Sequence, residues 1–262
     1  MKEALIVGGA SGIGLSIAMQ LADSGKYGKV HIVDRSPLPE DVSHDKFESH
    51  QFDLSSDDYS FFDRFLHVDT LMITAGFGHL ALFQDLSEEY IINMMNVNAT
   101  AVMRLIYRFY GRIASANDFG CGVMVSIAGF MSSPFFSVYG ASKAALKIFI
   151  ESVNVELEKA GFTNRILNVS PGSIKGTGFN QGKTDLSVTS GLAKEIITHL
   201  EAKDDLFIPQ YEEIFRNVLE RYHNDFREEG RHSYEYKLNS GRIKNAYGFS
   251  HYSCTQYVRL HG

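Results

Sequence analysis

The chain has 262 residues, of which 44% are hydrophobic and 21% are charged, and its formal net charge at pH 7 is −6. These values are typical of a soluble α/β domain with a large core. The slightly acidic balance leaves no excess of basic residues for binding a polyanion, so we expect no nucleic-acid partner.

Cysteine usage and hydropathy indicate a cytoplasmic protein. Cys121 and Cys254 are too few for a disulfide framework or a four-thiolate metal site, which fits a reducing compartment. The first apolar run covers only about five residues, too short for a signal sequence, and no later run approaches the roughly 18 residues of a membrane span. We therefore expect a cytoplasmic protein without a membrane partner.

Short β-branched runs alternate with amphipathic stretches over residues 1–172, which is typical of a parallel sheet with helical crossovers. Strands are predicted at residues 4–7, 29–34, 48–52, 70–74, 122–126 and 165–170. Helices are predicted at residues 13–24, 57–65, 87–115 with a break near Asn96, and 138–160. The alternation predicts an α/β fold built on a doubly wound parallel sheet.

The last third of the chain has weaker patterns. Residues 175–191 contain four glycines and little apolar periodicity, so we predict a flexible lid at about residues 175–192. A helix at 192–201, a strand at 206–208 and a helix at 211–223 would complete one domain over residues 1–230. Residues 231–262 form an atypical, tyrosine-rich C-terminal tail that we expect to pack on this domain or on a neighbouring subunit.

A glycine-rich loop follows the first predicted strand. The residues GGASGIG place Gly8, Gly12 and Gly14 where the chain turns sharply into a helix. Glycines allow a pyrophosphate to approach the backbone there, and the N–H groups and positive dipole end of the helix attract anions. The loop, including Ser11 and Ile13, is therefore predicted to bind a dinucleotide.

An acid ends the second predicted strand. Asp34 lies 20 residues after Gly14, where a carboxylate can accept hydrogen bonds from both ribose hydroxyls of an adenosine and repel a 2′-phosphate. Arg35 beside it could cover the adenine or receive that phosphate. We predict NAD as the cofactor, in preference to NADP.

Four further residues indicate the chemistry. Tyr139 and Lys143 lie one helical turn apart and so on one face of a predicted helix. Ser126 ends the preceding strand, 13 residues before Tyr139, and Asn98 lies on the long helix before that strand. Hydride transfer to a carbonyl develops negative charge on oxygen, which requires a proton donor and a second hydrogen-bond donor. Tyr139 and Ser126 have the hydroxyl groups for these two tasks.

Together with the glycine loop, these residues resemble the short-chain dehydrogenase/reductase family over about residues 5–177. The resemblance implies a single Rossmann-type domain and an NAD(P)-dependent oxidoreductase acting on CH–OH groups. It also implies a homodimer or homotetramer that pairs through the helices at 87–115 and 138–160. In this family the residues matching Tyr139, Ser126 and Asn98 exchange the proton, hold the substrate oxygen and hold a water linked to the lysine. Asn96 is the alternative match for the asparagine.

The phenol of Tyr139 needs a lower pKa to work as acid and base near neutral pH. A free tyrosine titrates near ~10, so a shift of about three units, or roughly 4 kcal/mol, is required. A cation about 4 Å away supplies roughly 4 kcal/mol at an effective dielectric constant of about 20. We therefore expect Lys143, helped by the positive nicotinamide ring, to lower the pKa of Tyr139.

The resemblance implies further cofactor contacts on the adenine side, at Asp53, Leu54, Ala75 and Gly76. The first pair resembles the acid and backbone amide that hold the adenine ring, and the second pair resembles the family's Asn-Asn-Ala-Gly strand end. The chain departs from the family at Val7 and Thr74, where Thr and Asn are usual. We expect both departures to weaken local hydrogen bonds without abolishing the site.

On the nicotinamide side, Pro171, Gly172 and Ile174 resemble the turn whose backbone carries the carboxamide in this family. The family's usual Thr falls at Gly176, and Thr177 lies one position later. The resemblance therefore implies the Pro-Gly turn, while the cofactor contact of Thr177 is displaced by one position from that of the family's threonine.

The segments that face the substrate in this family carry large apolar side chains, here Phe77, Phe130, Met131, Phe135, Phe136 and Phe179. We expect an apolar pocket for a secondary alcohol or ketone of a small lipophilic molecule, for example a hydroxysteroid. Core packing explains any one of these residues equally well, and His79 is interpreted as a surface histidine. No His, Cys, Asp or Glu cluster has metal-ligand spacing along the sequence, so no catalytic metal is predicted.

Two other functions share parts of this pattern. A regulatory protein that senses NAD(P) without catalysis would keep the glycine loop, but we would expect it to lack Tyr139 or Lys143. A sugar-nucleotide epimerase or dehydratase would carry a Gly-x-x-Gly-x-x-Gly loop and a longer C-terminal substrate domain. The sequence has neither of these two features.

Overall fold

Seven parallel strands form the centre of the fold. The computed structural model describes residues 1–180, 183–240 and 243. Within these residues the strands are β1 (Lys2–Val7), β2 (Tyr27–Asp34), β3 (Phe47–Gln51), β4 (Thr70–Ile73), β5 (Gly120–Met124), β6 (Ile166–Val169) and β7 (Leu206–Phe207). Their order in the sheet is β3-β2-β1-β4-β5-β6-β7, so the winding reverses between β1 and β4. Ligands of such sheets bind outside the carboxyl ends of the strands at this reversal.

Helices cover both faces of the sheet. They are α1 (Gly12–Asp23), α2 (Glu88–Met95), α3 (Ala101–Ile113), α4 (Ser137–Lys159), α5 (Leu186–Ala202), α6 (Arg216–Asn224) and α7 (Phe226–Asn239). The apolar sides of α1 and α5 form one core with the sheet, and those of α3 and α4 form a second core on the opposite face. Residues 4–7 of β1 are all buried, as expected for a strand covered on both faces. Among the described helices, none has the length and apolar composition needed to cross a lipid bilayer.

The predicted α/β fold with a doubly wound parallel sheet is confirmed. Each predicted strand is present, with its bounds shifted by at most two residues. The break predicted near Asn96 is a π-helical stretch, Asn96–Thr100, between α2 and α3. The helix predicted at 57–65 is a shorter 3-10 segment, Ser60–Phe65, which begins after Asp58 because its carboxylate accepts the Ser60 N–H at 2.8 Å.

Helix α5 begins within the segment predicted as a lid at 175–192. The carboxylate of Asp185 accepts the Ser187 N–H at 3.0 Å and caps the first turn. Thr189 is buried, and its hydroxyl lies 2.5 Å from that of Ser16 on α1. The sequence of this turn has weak helix propensity, so the cap and the contact with α1 explain why it is helical.

The predicted C-terminal tail begins inside a helix. Asp225 caps α7 by accepting backbone N–H groups of its first turn, and α7 crosses position 230, so residues 231–239 continue that helix. The ring of Tyr234 lies 4.5 Å from that of Phe135, centroid to centroid, and Lys237 Nζ donates to Ser133 Oγ at 2.6 Å. Residues 231–239 thus pack on the loop before α4, while residues 241, 242 and 244–262 of the predicted tail lie outside the described residues.

Candidate active site

The glycine loop joins β1 to α1 at the carboxyl edge of the sheet. Gly8 has a φ of +90°, and a Cβ atom there would lie 2.3 Å from the Ala75 nitrogen. A Cβ atom at Gly14 would lie 2.3 Å from the Gly8 oxygen. Both positions therefore require glycine. The Gly12 N–H donates to the hydroxyl of Thr184 at 3.0 Å, so this loop has a backbone donor at a helix N-terminus that is not used within the helix, as phosphate-binding loops do.

The acid predicted at the end of β2 lies against this loop. The Asp34 carboxylate accepts the Ala10 N–H at 3.1 Å through Oδ2 and the Ser36 N–H at 3.0 Å through Oδ1. Arg35 is exposed next to it. Ser11 occupies the N-cap position of α1 without a side-chain cap hydrogen bond, and Ile13 is partly buried against the core beneath α1. The glycine loop and the Asp34 carboxylate therefore lie side by side at the carboxyl edge of the sheet.

Asp53 and Leu54 follow β3 on the same side of the sheet. The Asp53 carboxylate accepts the Ser55 N–H at 2.8 Å. This bond, with a smaller contribution from the charge of Arg35, holds the pKa of Asp53 below its ordinary value. Leu54 is buried, so Asp53 is the member of this pair that faces solvent.

The end of β4 is tied to the glycine loop. The Ala75 N–H donates to the Val7 oxygen at 3.0 Å, and the Thr74 hydroxyl donates to the Gly8 oxygen at 2.9 Å. The threonine at position 74 thus supplies a bond between strand end and loop, although the family usually has Asn there. Gly76, the next residue, is exposed.

Ser126, Tyr139 and Lys143 come together at the carboxyl edge of β5. Their side chains are buried, with relative exposures of 9%, 8% and 3%. The Ser126 hydroxyl lies close enough to the Tyr139 phenol to lower its pKa, and it accepts the Ala128 N–H at 3.1 Å. Lys143 Nζ donates to the Met124 oxygen at 2.9 Å and lies 5.7 Å from the centroid of the Tyr139 ring. The helical spacing of Tyr139 and Lys143 therefore does place both on the face of α4 that meets Ser126.

Asn98 lies in the π-helical stretch and is completely buried. Its Oδ1 accepts the Phe77 N–H at 3.0 Å, and its Nδ2 donates to the Phe77 oxygen at 2.7 Å. A Cβ atom at Gly76 would lie 3.3 Å from Asn98 Oδ1 and 3.4 Å from Lys143 Nζ. The Asn98 side chain thus holds the segment after β4 close to Lys143, while its bond to a water stays a prediction.

Burial dominates the electrostatics of the tyrosine–lysine pair. It raises the pKa of Tyr139 to about 12, against a smaller lowering by the Ser126 hydrogen bond. It also lowers the pKa of Lys143 to about 8. The ammonium group is directed to the Met124 oxygen rather than to the phenol. The expectation that proximity to Lys143 lowers the pKa of Tyr139 is therefore wrong for this arrangement.

The turn after β6 lies beside Ser126. The Ile127 N–H donates to the Pro171 oxygen at 3.0 Å, which ties the predicted Pro-Gly turn to the segment after β5. The Thr177 hydroxyl donates to the Ile174 oxygen at 3.1 Å. A Cβ atom at Gly12 would lie 3.4 Å from the Thr177 Cβ. Thr177 thus covers the glycine loop, even though it lies one position later than the family's threonine.

Only part of the predicted aromatic set surrounds Tyr139. Its ring centroid lies 5.1 Å from those of Phe136 and Phe179, and Phe77 packs in the same apolar cluster. Three predicted members lie elsewhere. Phe130 and Met131 pack with Ile208 and Leu219, and Phe135, with a φ of +66°, packs on Tyr234. His79 is exposed and bonds the Tyr90 hydroxyl at 2.6 Å.

Two residues near the site escaped the sequence analysis. Thr184 accepts the Gly12 N–H, and nothing in its polar surroundings distinguishes it from other hydroxyl residues of the lid. Phe215 lies over the Pro-Gly turn, since a Cβ atom at Gly172 would lie 2.6 Å from its ring. Its place in the apolar pattern of residues 211–223 signals a buried side chain but not the surface that it covers.

A glycine loop at the carboxyl edge of a parallel sheet, with a Ser–Tyr–Lys group beside it, defines a dinucleotide-dependent oxidoreductase. The sequence model described as short chain dehydrogenase matches residues 2–186. The chain belongs to the short-chain dehydrogenase/reductase family, whose members act on alcohol and carbonyl groups.

Three similar proteins illustrate the relationship. An uncharacterized short-chain type dehydrogenase/reductase of Sinorhizobium fredii is 30% identical over 177 residues, covering 66% of this chain and 70% of the relative. Retinol dehydrogenase 8 of Bos taurus is 28% identical over 241 residues, covering 83% of this chain and 73% of the relative. A solved short-chain dehydrogenase of Sphingobium yanoikuyae in complex with NADPH has a TM-score of 0.67 and 20% identity, covering 97% of this chain and 100% of that one. The last similarity concerns the fold alone.

Proposed function

We propose that this protein interconverts a secondary alcohol and a ketone of an apolar small molecule, with a nicotinamide dinucleotide as its redox partner. The observation that carries the proposal is the neighbouring pair of buried hydroxyls, Ser126 and Tyr139, at the carboxyl edge of the sheet beside Phe136 and Phe179. Two neighbouring hydroxyls can both donate to one carbonyl oxygen, and the adjoining rings suit an apolar substrate. A hydroxysteroid is one substrate of this kind.

The residues present fit a dinucleotide. The close approaches at Gly8 and Gly14 leave no room for side chains where a pyrophosphate would meet the backbone. Asp34, Asp53, Pro171 and Ile174 are the further residues that we propose to hold it. When bound, the cofactor supplies or accepts the hydride.

The chain's own groups handle the oxygen and the proton. Ser126 donates a hydrogen bond to the substrate oxygen, and Tyr139 transfers its hydroxyl proton to that oxygen during reduction. Because the pKa of Tyr139 is raised to about 12, the phenol carries its proton at neutral pH and is ready for the reductive direction. Lys143, when charged, stabilises the phenolate that forms, which opposes the cost of burying it.

We further propose NAD rather than NADP as the preferred cofactor. The support is the Asp34 carboxylate, which two backbone N–H groups hold at the end of β2, since a fixed negative charge there repels a 2′-phosphate. The Sphingobium structure contains NADPH, so the preference rests on Asp34. The test compares kcat/KM for NADH and NADPH in the parent and in Asp34→Asn, which keeps an acceptor oxygen and removes the charge. A parent that prefers NADPH would refute this preference.

A substrate screen tests the main proposal. Ketones and aldehydes, including steroids, retinoids and aromatic ketones with polar sugars as contrast, are mixed with NADH or NADPH, and the loss of reduced-cofactor absorbance is followed. Turnover should increase with apolar character and disappear in Tyr139→Phe. Dinucleotide binding without turnover of any compound would instead indicate a sensor of the cofactor.

We also propose a cytoplasmic homo-oligomer that pairs through α3 and α4. Large apolar side chains are exposed on these helices within the described chain, at Tyr107, Ile148 and Val155. These side chains are the surface that we propose a second subunit to cover. Light scattering of the parent and of Ile148→Glu would show a dimer or tetramer that dissociates in the variant, and a parent that is monomeric would contradict the proposal.

A further inference from the structure

Three histidines and two glutamates meet on the side of the sheet formed by β1, β2 and β3, strands that carry none of Ser126, Tyr139 or Lys143. They are Glu3, His31, Glu48, His50 and His67. Their separations along the sequence show no metal-ligand spacing. The parallel register assembles them, because His31 on β2 pairs with Glu48 on β3.

His31 is the centre of this cluster and is 5% exposed. Its Nε2 lies 2.9 Å from Glu3 Oε2 in a hydrogen bond. Its Nδ1 is buried without a hydrogen-bond partner and lies 3.8 Å from Glu48 Oε2. With the proton on Nε2, Nδ1 presents a lone pair. A carboxylate that holds one imidazole nitrogen while the other faces a metal is the usual arrangement of ligating histidines.

His50 offers a second unpartnered nitrogen. Its Nε2 is buried and makes no hydrogen bond, although Glu48 Oε1 lies 3.3 Å away. Two imidazole nitrogens and a carboxylate make up the His₂Glu donor set that suits Zn²⁺.

We propose that His31 Nδ1, His50 Nε2 and the Glu48 carboxylate bind one divalent transition-metal ion, with water as the remaining ligand. The three groups offer one ligand atom each, and these atoms lie within 4.8 Å of one another. Glu48 is the most exposed of the three side chains, so its carboxylate has the most freedom to move toward the two nitrogens. Glu3 is a positioning residue that fixes the proton on His31 Nε2.

A neighbouring lysine competes with the metal for Glu48. Lys29 Nζ lies 2.8 Å from Glu48 Oε2 in an exposed ion pair. Metal binding must displace this ammonium group, so Lys29→Met should bind the metal more tightly, by about two- to fivefold on the scale of exposed ion pairs. A purely structural role of the cluster predicts no such gain.

The test uses the untagged full chain, stripped of metal by a chelator and desalted, with Cys254→Ser as background to remove the thiol outside the described residues. Co²⁺ is titrated while its d–d absorbance is recorded, and Zn²⁺ is then added to displace it. We expect one Co²⁺ per chain. His50→Gln and Glu48→Gln should abolish the spectrum, and Glu3→Ala should weaken binding by about 10–100-fold.

His44→Gln is the matched control. His44 also contacts two carboxylates, with Nε2 3.3 Å from Asp23 Oδ1 and Nδ1 2.8 Å from Asp45 Oδ1, but it lies outside the cluster. Its replacement should leave the Co²⁺ spectrum and stoichiometry unchanged.

Three results of the titrations would overturn the proposal. They are the absence of a Co²⁺ spectrum in the parent, a spectrum that survives in His50→Gln, and unchanged affinity in Lys29→Met. The last variant alters an exposed side chain, so its result stands even if substitution of the buried histidines impairs folding. A crystal grown with Zn²⁺ that shows a water and no anomalous signal between the two nitrogens would equally exclude the site.

Discussion

Replacement of Lys143 by methionine should stabilise the protein at neutral pH while removing its activity. Lys143 is 3% exposed, and burial lowers its pKa from 10.5 to about 8. At about 1.4 kcal/mol per pKa unit, the charged form costs the folded state about 3 kcal/mol. The loss of the hydrogen bond from Nζ to the Met124 oxygen offsets about 1 kcal/mol of this. Lys143→Met should therefore raise the free energy of unfolding by about 2 kcal/mol at pH 7.

The stability difference between the parent and Lys143→Met depends on pH, because the folded and unfolded states release the Lys143 proton at different pH values. Below pH 8 both folded and unfolded states bind the Lys143 proton, so its cost is constant. Between pH 8 and 10.5 the unfolded state binds more protons, and the parent gains stability as pH rises. The advantage of Lys143→Met should accordingly decline over this range and vanish by pH 10.5.

Urea denaturation of the parent and the variant between pH 7 and 10.5 measures this difference. Lys147→Met is the control on the same helix, because Lys147 is paired with Glu151 at 2.8 Å and is more exposed. We expect the control to change stability by less than about 1 kcal/mol, as for surface ion pairs, without the same pH profile. A Lys143→Met variant that is no more stable than the parent at pH 7, or whose advantage persists at pH 10.5, would refute the reasoning.

Three further substitutions test the candidate site. Tyr139→Phe should lower kcat by about 10²–10⁴-fold in the reductase assay, while the dinucleotide affinity, measured by NADH fluorescence, should not change. Activity near that of the parent would contradict the assignment of Tyr139 as proton donor. Thr184→Val frees the Gly12 N–H and should tighten dinucleotide binding by about two- to tenfold. The control Thr198→Val alters an exposed hydroxyl on α5 and should leave the binding unchanged. Phe179→Ala removes a ring whose centroid lies 5.1 Å from that of Tyr139, and it should raise KM for apolar substrates by about three- to tenfold. An equal rise in KM for polar substrates would argue against an apolar contact with the substrate.

The sequence was most informative where one residue type has a single physical reason to be present. Gly8 must be glycine because of its positive φ and its approach to Ala75, and the short apolar run before a glycine turn favours a buried strand. The four-residue spacing that places Tyr139 and Lys143 on one helical face likewise depends only on neighbouring residues of the chain. These features fix the first strand, the glycine loop and the tyrosine–lysine pair before any tertiary contact is known.

Aromatic lining depends on loop conformation, which the sequence pattern does not contain. Phe135 and Phe136 are adjacent, yet the positive φ of Phe135 directs its ring to Tyr234, while Phe136 lies against Tyr139. Helix α7 was missed for a related reason. Its sequence has no continuous apolar stripe, and Asp225 caps it while contacts with the loop before α4 hold it.

The electrostatic error has the same origin. From sequence, the pair at 139 and 143 can be weighed by Coulomb attraction alone, which lowers the pKa of the phenol. The structure adds burial, which acts on both groups: it raises the pKa of Tyr139 to about 12 and lowers that of Lys143 to about 8. Burial disfavours both phenolate and ammonium, but at neutral pH only Tyr139 is uncharged, because Lys143 with a pKa of about 8 still binds its proton. Attraction between opposite charges therefore matters only once the phenolate forms. A reductase needs Tyr139 to keep its proton until the substrate oxygen becomes basic. The stability that is lost by burying the Lys143 ammonium group is the cost of excluding water from this site.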